Sequence, residues 1–171
     1  MHATVFARAD SDVIDWLRPS PAVRWQTYNV RDVNTKGVEL SVSRAIGRGG
    51  FVQAGYTGLD LDASAVDQLS KYVLDYAPHS FTAAASIPLP ARFQVAPRLE
   101  YRERRRPYAQ PAGGVAVADR DYALFDLRLA HRLGAHYELA VEGTNLFDVS
   151  YQEIAGVAMP GVKWGISLAV R

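Results

Sequence analysis

The chain has 171 residues, of which 49% are hydrophobic, so it is long enough and apolar enough to fold rather than remain disordered. Its 19 basic and 18 acidic residues give a net charge of +1, so charge gives no reason to expect a nucleic-acid partner. Cysteine is absent, which excludes disulfides and thiolate metal sites. No run of roughly 18 apolar residues is present, which excludes a transmembrane helix but not transmembrane strands.

Alternation of apolar and polar residues, broken at turn residues, predicts about eight strands and little helix. In chain order we expect strands at about Thr4 to Trp16, around Gly37 to Ser43, and at about Phe51 to Asp62, Ser80 to Leu89, Phe93 to Arg102, Tyr122 to His131, Tyr137 to Glu142 and Lys163 to Arg171.

Two segments interrupt this pattern. Pro97 lies inside the fifth strand, where it removes one ladder hydrogen bond, so we expect a bulge or a sheet edge there. In the segment 63–78, Val66, Leu69, Val73 and Tyr76 recur near helical spacing. That spacing admits a short helix, but an irregular loop is the favoured interpretation.

The connections alternate in length. Short turns follow the second, fourth and sixth strands, and longer loops follow the first, third, fifth and seventh. An up-and-down meander with tight turns at one end and long loops at the other is typical of bacterial outer-membrane barrels. Aromatic residues near the strand ends suggest two interfacial girdles: Phe51, Phe93 and Tyr137 beside the short turns, and Trp16, Tyr101 and Trp164 toward the long loops.

The last strand alternates without exception, with Trp164, Ile166, Leu168 and Val170 on one side. Eight charged residues of the predicted strands fall on the polar side: Glu39, Arg98, Glu100, Arg102, Asp126, Arg128, Glu138 and Glu142. Each of them facing lipid would cost about 2–4 kcal/mol at mid-bilayer. The pattern therefore favours a barrel wall with lipid on one side, although a soluble barrel with its apolar side inward would alternate in the same way.

Two motifs carry a family resemblance. Asn145, Leu146, Phe147 and Asp148, followed by Tyr151, Gly156, Pro160 and Gly161, form a closing hairpin, and Lys36, Gly37, Val38 and Glu39 form a strand entry. In this order they resemble the C-terminal part of a TonB-dependent outer-membrane receptor, a plugged barrel of about 22 strands that imports scarce nutrients such as iron chelates or cobalamin.

The resemblance implies an all-β, antiparallel up-and-down fold of transmembrane barrel type. We expect residues 1–171 to form the C-terminal portion of such a barrel, without a plug domain or a signal peptide. It also implies a bacterial outer-membrane location, with membrane lipid, lipopolysaccharide and the remaining barrel and plug as partners. TonB would be reached only through parts outside these residues, and no nucleic acid is expected.

The sequence shows no catalytic motif, so we predict no enzyme activity, no cofactor and no metal. His2, His79, His131 and His136 have no ligand spacing. The glycine-rich segment 47–50 precedes a strand and is a turn, whereas a phosphate-binding loop would open a helix. The basic run 102–106 is best explained as a solvated strand end, with contact to lipopolysaccharide as a secondary role.

Three functional hypotheses follow. The leading one is a receptor fragment that cannot transport alone. The second is a self-contained eight-stranded outer-membrane barrel with a structural or adhesive role. The third is a soluble, lipocalin-like binding barrel. The transported ligand and the oligomeric state are not encoded in any motif of this chain.

Overall fold

The computed structural model describes residues 1–20, 22–63, 69–71, 73, 76–104, 121–153 and 157–170. They form one antiparallel sheet in the order β4-β1-β2-β3-β5-β6-β7-β8-β9. The strands are β1 (His2–Arg18), β2 (Gln26–Ile46), β3 (Gly50–Ala63), β4 (Leu69–Ser70), β5 (His79–Pro88), β6 (Phe93–Arg102), β7 (Tyr122–Leu133), β8 (Tyr137–Thr144) and β9 (Lys163–Val170).

The predicted all-β up-and-down meander is confirmed. The eight long strands lie where the alternation places them, and the ninth, β4, has only two residues. The short turns lie at 47–49, 89–92 and 134–136, and the second of them contains a 3₁₀ turn at Pro90–Arg92. Among the described residues, no helix is long and apolar enough to span a bilayer. Within the described ranges the sheet does not close, because β4 and β9 lie at its two edges.

The first two strands are longer than the sequence predicts. β1 has 17 residues and β2 has 21, so only residues 19–25 connect them. The long loop expected after the first strand is therefore wrong. Both strands exceed the length of about 9–11 residues that a membrane-spanning strand needs. The added residues of β2 are mostly polar, and Val30 and Val33 stand three positions apart, so alternation did not reveal this part of the strand.

The expected bulge at Pro97 is also wrong. The pairing of β5 with β6 has the same register at Ala84↔Arg98 and at Ile87↔Val95, on either side of the proline. The bulges lie in β1 instead, between Asp10 and Ile14, where the register against β2 shifts twice. Asp12, inside this region, has φ 56°, a left-handed value that aspartate tolerates better than most residues.

The two sides of the sheet differ in chemistry, and we call them the apolar face and the polar face. Cross-strand pairs share a side, as Leu139↔Leu168 and Val141↔Ile166 do. Large side chains on the apolar face are exposed: Leu40, Val42, Val52, Phe81, Leu99, Tyr101, Leu129, Leu139, Val141, Trp164, Ile166, Leu168 and Val170. The polar face carries all the charged strand residues expected there.

One aromatic residue departs from the expected girdle. Phe51 pairs with Ala45 and Ser86, whereas its neighbour Val52 pairs with Ala85 on the opposite side. Because side chains alternate along a strand, Phe51 lies on the polar face. The girdle beside the short turns therefore retains Phe93 and Tyr137, which lie on the apolar face.

A small apolar cluster covers the polar face at the long-loop end. Leu17, Val30 and Val33 are buried there, and Val73 from the connection between β3 and β5 packs against them. In the segment 63–78 the described residues contain β4 and no helix. Val66, one of the residues with helical spacing, lies outside the described residues.

Candidate functional site

The polar face carries two carboxylates, each flanked by two guanidinium groups. Glu100 accepts from Arg98 at 2.9 Å and from Arg102 at 2.7 Å, all three on β6. These residues follow one another at a spacing of two, which places their side chains on one side of the strand. Since Glu100 is largely shielded from solvent, the two arginines compensate its negative charge.

Glu138 forms the second of these groups across two strands. It accepts from Arg128 at 2.9 Å and from Arg132 at 3.5 Å, both on β7. Only 5% of Glu138 is exposed, so the flanking arginines are required to hold a charge at this position. The polar face therefore carries two clusters of paired charges.

An open hollow of about 640 Å³ lies on the same face, in the half formed by β1 to β6. Its lining is mainly small and uncharged, and it includes Ser41, Ser43, Gln53, Thr82 and Arg98. The hollow therefore offers hydrogen-bonding groups and one cation rather than an apolar cleft.

Asn145 organises the connection between β8 and β9. Its backbone N–H donates to Asp126 Oδ1 at 2.8 Å, and its side-chain Nδ2 donates to Val149 O at 2.9 Å and to Pro160 O at 3.3 Å. Its Oδ1 accepts from the N–H of Val149 at 2.9 Å. Asn145 is buried and has φ 49°, which asparagine adopts more readily than most residues.

Residues in the second half of the closing motif contact residues in its first half. Asp148, with φ 50°, accepts the N–H of Val162 on Oδ1 at 3.0 Å. A Cβ at Gly161 would collide with the Asp148 carboxylate, so this close approach requires glycine. Further out, the N–H of Met159 donates to Tyr151 O at 3.0 Å. The motif residues Asn145, Asp148, Pro160 and Gly161 are thus brought together, whereas Gly156 lies outside the described residues.

Leu146 and Phe147 attach this connection to β7. The N–H of Leu146 donates to Phe125 O at 2.9 Å, and the Phe147 ring stacks on the Phe125 ring with centroids 5.6 Å apart. Phe147 is nevertheless 73% exposed. The motif therefore builds a stable loop rather than a reaction centre.

An aromatic pair that sequence reasoning missed lies at the long-loop end of the polar face. Tyr122 is 3% exposed and packs on Tyr151 with ring centroids 4.7 Å apart. Within the described residues the Tyr122 hydroxyl has no hydrogen-bond partner. Desolvation, reinforced by the Glu153 carboxylate, raises the pKa of Tyr151, so its phenol stays neutral at physiological pH. The alternation of apolar and polar residues does not predict that a tyrosine beside a loop is buried.

The basic run starting at Arg102 is engaged in local contacts. Arg102 pairs with Glu100, and Arg104 donates through Nη1 to Glu153 O at 2.9 Å and through its backbone N–H to Asp121 Oδ1 at 2.9 Å. Arg105 and Arg106 lie outside the described residues.

The strand-entry motif, Lys36 to Glu39, lies within β2. Lys36 is opposite Asp60 and Glu39 is opposite Thr57, so their side chains point to opposite faces of β2. A Cβ at Gly37 would collide with the Phe6 ring and approach Leu59 within 2.9 Å, so Gly37 lets these two side chains meet over the backbone. Val38 pairs with Val5.

The two motifs do not form one site, because β3, β5, β6 and β7 separate β2 from β8 in the sheet. No group of metal-binding side chains is found within the described ranges. The polar face is the candidate functional surface: the Glu138 cluster lies at its short-turn end, and the Glu100 cluster, the tyrosine pair and the strand connections lie at its long-loop end.

Compared with models of known protein families, the chain matches the family described as TonB dependent receptor-like, beta-barrel, over residues 2–146. The match contains β1 to β8, and the closing motif from Phe147 onward lies beyond it. No curated protein matches the chain. Since the family model covers most of the sequence and the described sheet is an open antiparallel meander, the chain belongs to the TonB-dependent receptor β-barrel family, whose members are outer-membrane receptors and transporters.

Proposed function

We propose that the chain forms the C-terminal wall strands of a TonB-dependent receptor that imports a scarce nutrient, such as an iron chelate or cobalamin. The observation that carries the proposal is the separation of an exposed apolar face from a charged polar face, which holds along β5 to β9 and along residues 38–42 of β2. The exposed apolar face meets the bilayer and lipopolysaccharide, and the charged polar face borders the interior, where the plug of the intact receptor sits.

The same observation disfavours a lipocalin-like barrel. In a soluble barrel the apolar side chains point inward and are buried, but Leu168 is 62% and Ile166 is 78% exposed. On the polar face, Glu138 and Ala140 are buried instead. A self-contained eight-stranded barrel would require β1 to pair with β9, and the two strands lie at opposite ends of the described sheet.

We further propose that nutrient contacts lie at the long-loop end of the polar face. Tyr151, which packs on the buried Tyr122, offers a ring surface there, and Arg104 supplies a cation beside it. Energised transport needs the plug and the TonB contact, which lie outside these residues. The chain alone therefore binds membrane but does not transport.

Two measurements test this function. The chain is refolded into vesicles containing lipopolysaccharide, and its migration in detergent gels is compared with and without heating. Uptake of a radiolabelled iron chelate and of labelled cobalamin is then measured in receptor-deficient cells, with the gene for the chain alone and with its upstream coding sequence. We expect membrane insertion of the chain and uptake only with the longer gene. A chain that is soluble without detergent, with Trp164 shielded from aqueous quenchers, contradicts the proposal.

A further inference from the structure

β4 departs from the up-and-down order of the sheet. Its neighbours in the chain, β3 and β5, pair with each other, yet β4 lies at the outer edge of β1, with Leu17↔Ser70 and Arg18↔Leu69 in register. The N–H of Lys71 also donates to Trp16 O at 3.0 Å. The outer backbone edge of β1 is thus occupied from Trp16 to Arg18. Within the described part of the chain, no strand pairs with that edge below Trp16.

A buried carboxylate fixes β4 in this place. Asp15 is 2% exposed, and its Oδ1 accepts the N–H of Trp16 at 2.7 Å. Its Oδ2 accepts the hydroxyl of Ser70, which is fully buried, and the N–H of Val73 at 3.2 Å. We call Leu69, Ser70, Lys71 and Val73 the strap. Because a buried carboxylate needs such donors to remain charged, the strap and Asp15 depend on each other.

The residues between the strap and β5 also form hydrogen bonds, in this case with β3. The N–H of Leu61 donates to the Tyr76 hydroxyl at 3.1 Å, and the N–H of Leu59 donates to Pro78 O at 2.8 Å. Val73 packs on Leu17 and the buried valines of β2, all on the polar face. The described residues of this connection therefore lie against β1, β2 and β3 and are held by hydrogen bonds at Ser70 and at Tyr76 and Pro78.

The remaining edge of β1 is suited to a strand partner. Edge strands that stay unpaired are usually protected by proline, lysine or bulges, and the stretch His2–Asp10 contains none of these. Unpaired backbone groups are costly in lipid. On the apolar face this stretch offers Ala3, Val5, Ala7 and Ala9. Because β1 runs from the short-turn end to the long-loop end, a meander neighbour runs antiparallel to it.

We propose that the strap closes the upper edge of β1, so that the adjoining wall strand of the same receptor, antiparallel to β1, pairs with the stretch His2–Asp10 and ends below the strap. This inference rests on the proposed function, because it requires a barrel wall that continues past β1. The strap then lies on the inner side of the barrel, at the long-loop end of the pairing between β1 and the adjoining strand.

Photo-cross-linking in the outer membrane tests the proposal. The receptor is expressed from the gene that includes the upstream coding sequence, with benzoylphenylalanine at Ala7 or at Arg18, and the joined peptides are identified by mass spectrometry. We expect the probe at Ala7 to capture a segment of the same polypeptide outside residues 1–171, and the probe at Arg18 to capture the peptide that contains Ser70.

The possible failures are distinguishable. If both probes capture the same outside strand, the strap is displaced in the receptor, and this inference is overturned while the proposed function stands. If the probe at Ala7 captures β9, the chain closes on itself, and the inference fails together with the proposed function.

A pair of carboxylate variants tests the anchor. Asp15→Ala should reduce the yield of the Arg18-to-strap product at least tenfold. Asp10→Ala is the matched control on the same strand, because Asp10 contacts only the exposed Arg8 in the described structure, and it should leave the yield unchanged. If Asp15→Ala does not fold, Ser70→Ala removes a single hydroxyl and should lower the yield severalfold. Equal yields in Ser70→Ala, Asp10→Ala and the unmodified receptor would overturn the anchor.

Discussion

Asn145 and Asp126 connect the end of β8 to the middle of β7: the backbone N–H of Asn145 donates to the Asp126 carboxylate at 2.8 Å. The same asparagine holds both ends of the connection to β9 through Val149 and Pro160. One side chain thus determines how the last strand re-enters the sheet.

Asn145→Ala should therefore lower the free energy of unfolding by about 2–4 kcal/mol, from lost hydrogen bonds and from a left-handed backbone without asparagine. Asn145→Gly loses the same bonds but tolerates φ 49°, so it should be less destabilising by about 1 kcal/mol. Urea unfolding of the refolded chain in detergent micelles measures both. Equal stability of the alanine variant and the wild type would refute the role of this side chain.

Substitutions in β9 report which face meets lipid. Ile166→Arg places a cation on the apolar face and should cost about 2–4 kcal/mol in a bilayer. Ser167→Arg is the adjacent control on the polar face and should change stability by less than about 0.5 kcal/mol. The folded fraction in vesicles, read from heat-modifiable gel migration, distinguishes them. The reverse ranking would invert the face assignment.

Removing the charge of Glu138 leaves Arg128 and Arg132 without their shared partner. We expect Glu138→Gln to destabilise the chain by about 1–2 kcal/mol, since both arginines remain partly hydrated. Glu142→Gln, an exposed neighbour on the same face, should change stability by less than about 0.5 kcal/mol. Urea midpoints at low and high salt test this, and a Glu138 variant as stable as the Glu142 variant would show that the network contributes nothing.

Adding a methyl group at Gly37 or at Gly165 tests how tightly side chains pack over the sheet at these two positions. A methyl group at Gly37 meets the Phe6 ring and Leu59, whereas at Gly165 it meets nothing within 4 Å. Gly37→Ala should therefore destabilise the chain by about 1–3 kcal/mol, and Gly165→Ala should be near neutral or slightly stabilising. Thermal unfolding in micelles compares the two. Similar midpoints would mean that Phe6 and Leu59 rearrange without cost.

Alternation revealed most of the wall because a strand between two phases must place apolar residues at every second position. It therefore located β5 to β9 to within a few residues and assigned Glu100 and Glu138 to the correct face. It failed in the first half of β2, where most residues are polar and the buried Val30 and Val33 stand three positions apart.

The strap and the tyrosine pair were not predictable from alternation. β4 depends on the contact of Ser70 with Asp15, 55 residues earlier, and two-residue strands have no periodicity. Tyr122 is buried by Tyr151 from a loop. Phe51 was assigned by its position after a turn rather than by the alternation of its own strand, and the register placed it on the other side. Such features depend on long-range packing that no local pattern encodes.

The meander contains an even number of long strands, four rising and four descending. β1 starts beside the turn 47–49, and β9 finishes beside the turn 134–136. The start of β1 and the end of β9 therefore lie in one compartment, the periplasm if the short turns face inward. A protease-cleavable tag inserted next to His2 or next to Val170 should be protected in intact cells and cut only after the outer membrane is opened.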